Sequence, residues 1–147
     1  MVAHVLAPMP AIGYPERKPM NLSDPEVRRK LSPAALRGFF SIAREWDLSE
    51  SQMRSLLGGI AASTLHAWKS GPDKRVLDQD TLTRISYVVG IYKGLHTYFG
   101  AAGDEWITLP NDSPLFGGAV PIDFMVAAGL IGMYEVRRML DAWSAGH

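Results

Sequence analysis

The side chains that could support acid–base chemistry lie close together in the second half of this sequence. Asp104 and Glu105 are adjacent, and Asp112 follows in the same region. No histidine, lysine or glycine-rich partner accompanies these carboxylates at motif spacing. We therefore expect solvated loop carboxylates and no catalytic residue. His96, four residues after Tyr92 on an apolar segment, is expected to be a partly buried core histidine.

The sequence contains no cysteine, which excludes disulfides, thiol nucleophiles and cysteine-based zinc sites. Sites built from histidine or carboxylates alone stay open, but no ligand spacing marks one, and we expect neither a metal nor a cofactor. The net charge is zero, yet residues 1–75 contain eleven Lys and Arg against seven Asp and Glu. Residues 76–147 contain four against eight. Opposite charge in the two halves indicates two different partners, and the alternative is a modest split that arises by chance.

A second set of polar side chains has the spacing of a DNA-reading surface. Residues 48–71 predict two short helices joined by a turn at Gly58, as in a helix-turn-helix. Leu65 and Trp68 are three residues apart and therefore share the inner face of the second helix. The outward positions carry polar groups suited to a major groove. The predicted DNA-binding residues are Ser63, Thr64, His66, Ala67 and Lys69.

The elements before this motif are predicted to be an arm and one helix. Five of the ten prolines fall before residue 26, so residues 1–31 are expected to form a poorly ordered basic arm. These prolines also interrupt any signal-peptide core, and a cytoplasmic protein is expected. Ser32 and Pro33 predict the start of the first helix, as N-cap and first helical residue. This helix is expected to end near Asp47, and the helix-turn-helix region to span residues 32–75.

The second half is also predicted to be helical, so the fold class is all-α. The longest helix is predicted over residues 78–99, and its two apolar stripes require burial on two sides. Arg84 on this apolar helix is expected to have a structural role with a carboxylate or carbonyl partner. Glycines and prolines over residues 100–120 indicate irregular backbone with at most a short turn of helix. Two last helices are predicted at 121–127 and 130–143.

Several segments, in collinear order, resemble the Xre/MbcA/ParS antitoxins. They are residues 84–96, Trp106, Pro110-Asn111, residues 115–118 and residues 136–140. The upstream helix-turn-helix is similar to the Xre-like domain that precedes the toxin-binding domain in that family. The resemblance covers residues 32–145 and leaves the N-terminal arm outside. One departure is the apolar segment 119–121, where family members often have a polar start to the next helix.

The resemblance implies a non-catalytic type II antitoxin paired with a toxin of the RES fold, which attacks NAD or uses it for ADP-ribosylation. Such antitoxins cover the NAD cleft of the toxin and repress their own operon through the helix-turn-helix. Residues 76–147 are therefore expected to form a helical domain for toxin binding and dimerisation. The residues expected to face inward on the final helix are Met133, Val136, Leu140 and Trp143. The candidate toxin-binding residues are Asn111, Phe116, Tyr134, Arg137, Arg138, Asp141, Trp143 and His147.

The expected partners are a cognate RES-domain toxin, operator DNA and a second copy of the chain, with no membrane. A homodimer is expected because the long helix is apolar on two faces and because helix-turn-helix proteins usually read paired half-sites. The alternative is a plain transcriptional regulator whose C-terminal half only dimerises or senses a ligand. For the helix-turn-helix, the alternative is a small helical corner that has a structural role only. The sequence leaves the operator, the target of the toxin and the stoichiometry open.

Overall fold

The computed structural model describes residues 20–145 and shows an all-helical architecture, with no strand in that range. The α-helices are α1 (Pro25–Glu45), α2 (Glu50–Leu56), α3 (Ala62–Ser70), α4 (Gln79–Phe99), α5 (Gly103–Trp106) and α6 (Pro121–Ala145). Short 3₁₀ turns at Pro72–Lys74 and Gly100–Ala102 follow α3 and α4. No helix in the described part combines the length and apolarity needed to cross a membrane.

Helix α1 begins eight residues before the predicted start, so the interpretation of Ser32 and Pro33 as its first residues is wrong. Asp24 is the N-cap, its carboxylate accepts from the backbone N–H of Glu26, and Pro25 is the first helical residue. Ser32 is buried in the middle of the helix, where its hydroxyl donates to the carbonyl of Arg28. The predicted arm therefore overlaps α1 from residue 25 onward, while residues 1–19 lie outside the described residues.

The hydroxyl of Ser32 explains why a residue that resembles a helix cap lies inside a helix. Its oxygen accepts a hydrogen bond from the backbone N–H of Leu77 at 2.8 Å, and this bond connects the segment after α3 to α1. Pro33 lacks an N–H, and α1 therefore loses one backbone hydrogen bond at this turn. Packing of the apolar face that includes Leu36 and Phe39 outweighs that loss, because both side chains are buried in the core.

The predicted helix-turn-helix is confirmed, with α2 and α3 as its helices. Ser49 caps α2 in a capping box, in which the Gln52 side chain accepts from the backbone N–H of Ser49. Gly58 and Gly59 end α2 with φ values of 101° and 81°, which the absence of a Cβ makes accessible. Helix α3 starts at Ala62, and its N-cap position, Ala61, provides no side-chain cap.

Helix α4 lies between α1 on one side and α6 on the other, which confirms its predicted burial on two sides. Asp78 caps it, and hydrogen bonds from Thr81 hold the pKa of Asp78 below its usual range. The buried side chains of both halves form one continuous core that also includes Leu65 of α3 and Met133 of α6. The predicted boundary at residue 76 therefore separates two segments whose side chains pack in the same core. The domain boundaries remain a prediction.

Helix α6 contains the two last predicted helices, which meet at a break in the backbone. Gly129 has a φ of 68° and a ψ of −145° inside the segment, values that are not helical. The second part of α6 buries Met133, Val136 and Leu140, as its apolar pattern predicts. Before α6, the backbone of Asn111 exchanges hydrogen bonds with Gly118 and Ala119, which closes a compact loop over residues 111–119.

Candidate functional site

The outward face of α3 holds the predicted DNA-binding residues. Ser63, His66 and Lys69 are exposed, and they recur at helical spacing on one side of α3. Thr64 and Ala67 are half-buried at the edge of that face. Leu65 is buried and Trp68 packs against the core, so the predicted rotation of the helix is confirmed. This geometry leaves hydroxyl, imidazole and ammonium groups free to approach a surface.

A carboxylate that the sequence interpretation missed lies beside this face. Glu50, the first residue of α2, places its Oε2 3.1 Å from Nε2 of His66, sixteen residues further along the chain. Both side chains are largely exposed, so the pair is accessible to a ligand. The sequence indicates this proximity in part, because a helix-turn-helix brings the start of its first helix near its second helix.

Arg84 has the structural role that was expected. Its Nε donates to the carboxylate of Asp80 at 2.9 Å, one helical turn earlier on α4. A Cβ on Gly58 would lie 3.3 Å from the same Nε, so the Arg84 side chain covers the turn of the helix-turn-helix. Helix α2 also packs against α6. The DNA-binding motif is therefore supported by two helices of the second half.

The exposed face of α6 holds three of the candidate toxin-binding residues, Tyr134, Arg138 and Asp141. Arg137 is more enclosed, since its guanidinium lies over Gly90 of α4 and its Nε is 3.3 Å from Asp141. Ile131, one turn before Tyr134, is 74% exposed and extends the face with an apolar side chain that the sequence interpretation omitted. His147 lies outside the described residues.

An open groove of about 360 Å³ runs beside this face, between α6 and the loop over residues 111–119. Arg138 and Glu135 provide charge at its wall, and most of the remaining lining is apolar. The lining residues are Ser113, Pro114, Leu115, Glu135, Arg138, Met139 and Ala142. Arg138 thus belongs to both the exposed face and the groove.

Two other candidate toxin-binding residues have structural positions. Phe116 is buried in the core, in edge contact with Trp106 and Phe124, and its assignment to the toxin interface stays a prediction. Asn111 is half-buried, and its side-chain oxygen accepts the backbone N–H of Ser113. Both residues shape the loop that forms one wall of the groove.

Trp143 also has a packing role, in an aromatic cluster at the end of α4. Its ring lies 5.3 Å from Tyr98 and 6.2 Å from both Phe99 and Trp106, measured between centroids. Tyr98 and Phe99 remain partly exposed. Because aromatic contacts of this kind contribute beyond buried area, Trp143 fastens the end of α6 to α4 and α5.

Asp104 is not a solvated loop carboxylate, and that expectation is wrong. Its Oδ1 accepts from the indole Nε1 of Trp46 at 3.2 Å and lies 2.9 Å from Nε2 of His96. His96 is half-buried, as predicted, and stacks at 4.3 Å on the ring of Tyr92. A hydrogen bond to Glu45, with burial, raises the pKa of Tyr92 to about 12. Glu105 and Asp112 are exposed, as expected.

Comparison with known proteins gives two family matches in collinear order. A family model for the antitoxin Xre-like helix-turn-helix domain matches residues 26–90, and one for the antitoxin Xre/MbcA/ParS C-terminal toxin-binding domain matches residues 95–146. A relative named uncharacterized protein y4oB, from Sinorhizobium fredii (strain NBRC 101917 / NGR234), is 36% identical over 131 residues. That alignment covers 88% of this chain and 98% of the relative. The chain therefore belongs to the Xre/MbcA/ParS antitoxin family, with a DNA-binding helix-turn-helix followed by a toxin-binding domain.

Proposed function

We propose that this antitoxin neutralises a RES-domain toxin by covering its NAD site, and that it represses its own operon through α3. The observation that carries the proposal is the pairing, in one chain, of an antitoxin helix-turn-helix with an antitoxin toxin-binding domain. The protein acts as a stoichiometric inhibitor in the cytoplasm and has no catalytic role of its own. The RES fold of the toxin and the use of NAD come from the family resemblance.

The DNA-binding part of the proposal rests on the exposed face of α3. His66 and Thr64 are assigned to base edges in a major groove, and Lys69 to a phosphate. Ser63 and Ala67 complete the surface that enters the groove. The excess of basic side chains in residues 1–75 supports this part, because phosphate contacts provide most of the affinity that is independent of sequence.

The toxin-binding part rests on the exposed face of α6 and the groove beside it. Tyr134, Arg138 and Asp141 provide an aromatic ring and charges of both signs within two helical turns. Aromatic and arginine side chains are the residue types that most often dominate binding energy at protein interfaces. Arg138 is assigned the central position, because its guanidinium can pair with acidic groups of an NAD cleft.

Co-expression of the antitoxin with the product of the neighbouring reading frame tests this function. We expect the wild-type antitoxin to form a stable complex, to restore growth and to preserve cellular NAD. The charge reversal Arg138→Glu should abolish rescue, whereas Arg29→Glu, an exposed reversal on α1, should not. Toxicity that persists with the wild-type protein, with no complex on gel filtration, would support a plain transcriptional regulator instead.

A further inference from the structure

Three side chains from three different helices meet beside the indole of Trp46. Glu45 is the last residue of α1, His96 lies in the last turn of α4, and Asp104 lies in α5. One ligand atom from each residue, the imidazole nitrogen of His96 and an oxygen of each carboxylate, lies within 4.8 Å of the other two. The shortest separation, 2.9 Å, joins Nε2 of His96 to Oδ1 of Asp104.

A movement of the Glu45 side chain would bring the three groups to the spacing of a tetrahedral ion with an open position. Zinc–nitrogen and zinc–oxygen bonds of about 2.0 to 2.2 Å place neighbouring ligand atoms about 3.3 Å apart. The His96–Asp104 distance is already near that value. Glu45 is exposed, so its side chain can complete the set by a rotation at the surface without any change in the core. Water would occupy the fourth position.

A hydrogen bond from the core orients the carboxylate of Asp104. Trp46, which is buried, donates its Nε1–H to Asp104. Such outer partners fix the direction of metal-ligating carboxylates in characterised sites. The ring of Tyr92 lies beside that of His96, at 4.3 Å between centroids.

The charge at this position is negative and lacks a strong cation. In the described part of the chain, neither Glu45 nor Asp104 forms an ion pair with a lysine or arginine. His96 is the only basic group in contact with Asp104 among those ion pairs.

We propose that Glu45, His96 and Asp104 bind one divalent transition-metal ion, zinc by preference, which joins α1 of the DNA-binding part to α4 and α5 of the toxin-binding part. One imidazole with two carboxylates is a ligand set that zinc accepts in proteins, whereas Mg²⁺ and Ca²⁺ prefer oxygen alone. This site is independent of the toxin and of DNA, so its test does not depend on the proposed function.

Isothermal titration of zinc chloride into the purified full-length protein, stripped with a chelator beforehand, tests the site. We expect one saturating ion per chain. Glu45→Gln and His96→Gln should each weaken binding at least tenfold. The matched controls Glu105→Gln and His66→Gln should bind as wild type, because they remove an exposed neighbouring carboxylate and the histidine on α3.

Thermal melting separates loss of the ligand from loss of the fold. Glu45 is exposed, so Glu45→Gln without zinc should melt near the wild type, and zinc should raise the melting temperature of the wild type only. An absence of saturable zinc binding would overturn the proposal. Wild-type binding by both Glu45→Gln and His96→Gln, or an equal thermal shift in Glu45→Gln, would place the ion elsewhere and would also overturn it.

Discussion

His66 presents an imidazole on the exposed face of α3, and Glu50 lies beside it at 3.1 Å. A carboxylate at this position repels phosphates and accepts hydrogen bonds from the exocyclic amine of cytosine. The pair therefore favours a base edge over the DNA backbone as the partner of this part of α3. Lys69, in the last turn of α3, is suited to a phosphate.

We predict that His66→Ala reduces discrimination between operator and unrelated DNA by about 1 to 3 kcal/mol, because a base-edge contact is lost. Lys69→Ala should weaken binding to all sequences alike and lower the salt dependence by about one phosphate contact. Gel shifts on both DNAs over a range of salt concentrations measure the two effects. Unchanged discrimination in His66→Ala would make the helix-turn-helix purely structural.

Tyr92 makes stability depend on pH in the alkaline range. Its folded-state pKa of about 12 lies above the ordinary value of 10.0, because the neutral hydroxyl donates to Glu45. A raised folded-state pKa gives stability that is present below pH 10 and is lost as the pH rises toward 12. We predict that the wild type loses more stability between pH 9 and 11 than Tyr92→Phe does, as measured by urea unfolding. Parallel losses would contradict the assigned hydrogen bond.

Gly103 is required by the close approach of α5 to α4. A Cβ at this position would lie 2.8 Å from the backbone carbon and oxygen of Leu95, which cannot move without shifting α4. We predict that Gly103→Ala lowers the free energy of unfolding by about 1 to 3 kcal/mol. Gly38→Ala on α1 is the control, since nothing lies within 4 Å of its added methyl group. It should be neutral or stabilising by up to about 1 kcal/mol.

At the scale of the helices, the end of α6 has both a packing role and a proposed binding role. The aromatic contacts of Trp143 fasten this end to α4 and α5, so deletion of residues 141–147 would remove core packing together with exposed charges. Such a truncation cannot by itself locate the toxin-binding surface. Single substitutions separate the two roles.

We predict that Trp143→Ala lowers the free energy of unfolding by about 1 to 3 kcal/mol, less than a fully buried tryptophan would. Trp143→Phe should lower the free energy of unfolding by only part of that amount. Arg138→Glu should leave thermal unfolding unchanged while it reduces toxin binding, because Arg138 is exposed. Chemical denaturation together with a toxin pull-down checks all three. A large loss of stability in Arg138→Glu would contradict the assignment of Arg138 to the toxin-binding surface.

Helix limits were predictable where a cap or a glycine marks them in the sequence. Gly58 and Asp78 mark such limits, and the corresponding helices lie within a residue or two of the prediction. Ser32 and Pro33 have the same local signature, but their tertiary partner is Leu77, forty-five residues away. Local patterns do not contain that partner, so the start of α1 was misplaced.

The candidate sites were less predictable than the helices, because they form between elements. The outward face of α3 follows from the helical period alone and was correct. Phe116, in contrast, lies in a glycine-rich loop whose burial depends on Trp106 and Phe124. Glu45 and His96 are far apart in sequence and meet only through the packing of α1 on α4. No spacing rule indicates such a meeting.

At the scale of the whole molecule, DNA recognition rather than the burial of α4 favours a dimer. Both apolar stripes of α4 are covered within one chain, by α1 and α6, so they need no second copy. We still predict a homodimer, because helix-turn-helix proteins usually read two half-sites related by symmetry. Light scattering, alone and with a two-half-site operator, measures the mass. A monomer in both conditions would show that one copy reads a single half-site.

The position of α4 also bears on how this protein can change during evolution. The first family match ends at residue 90 and the second begins at residue 95. Both positions lie inside the helix that spans Gln79–Phe99. Recombination between genes at that boundary would join half of α4 from one lineage to half from another, each fitted to different neighbours. Most such chimeras would have a mismatched core. Exchange of either half by recombination at this boundary would therefore disturb the packing of α4.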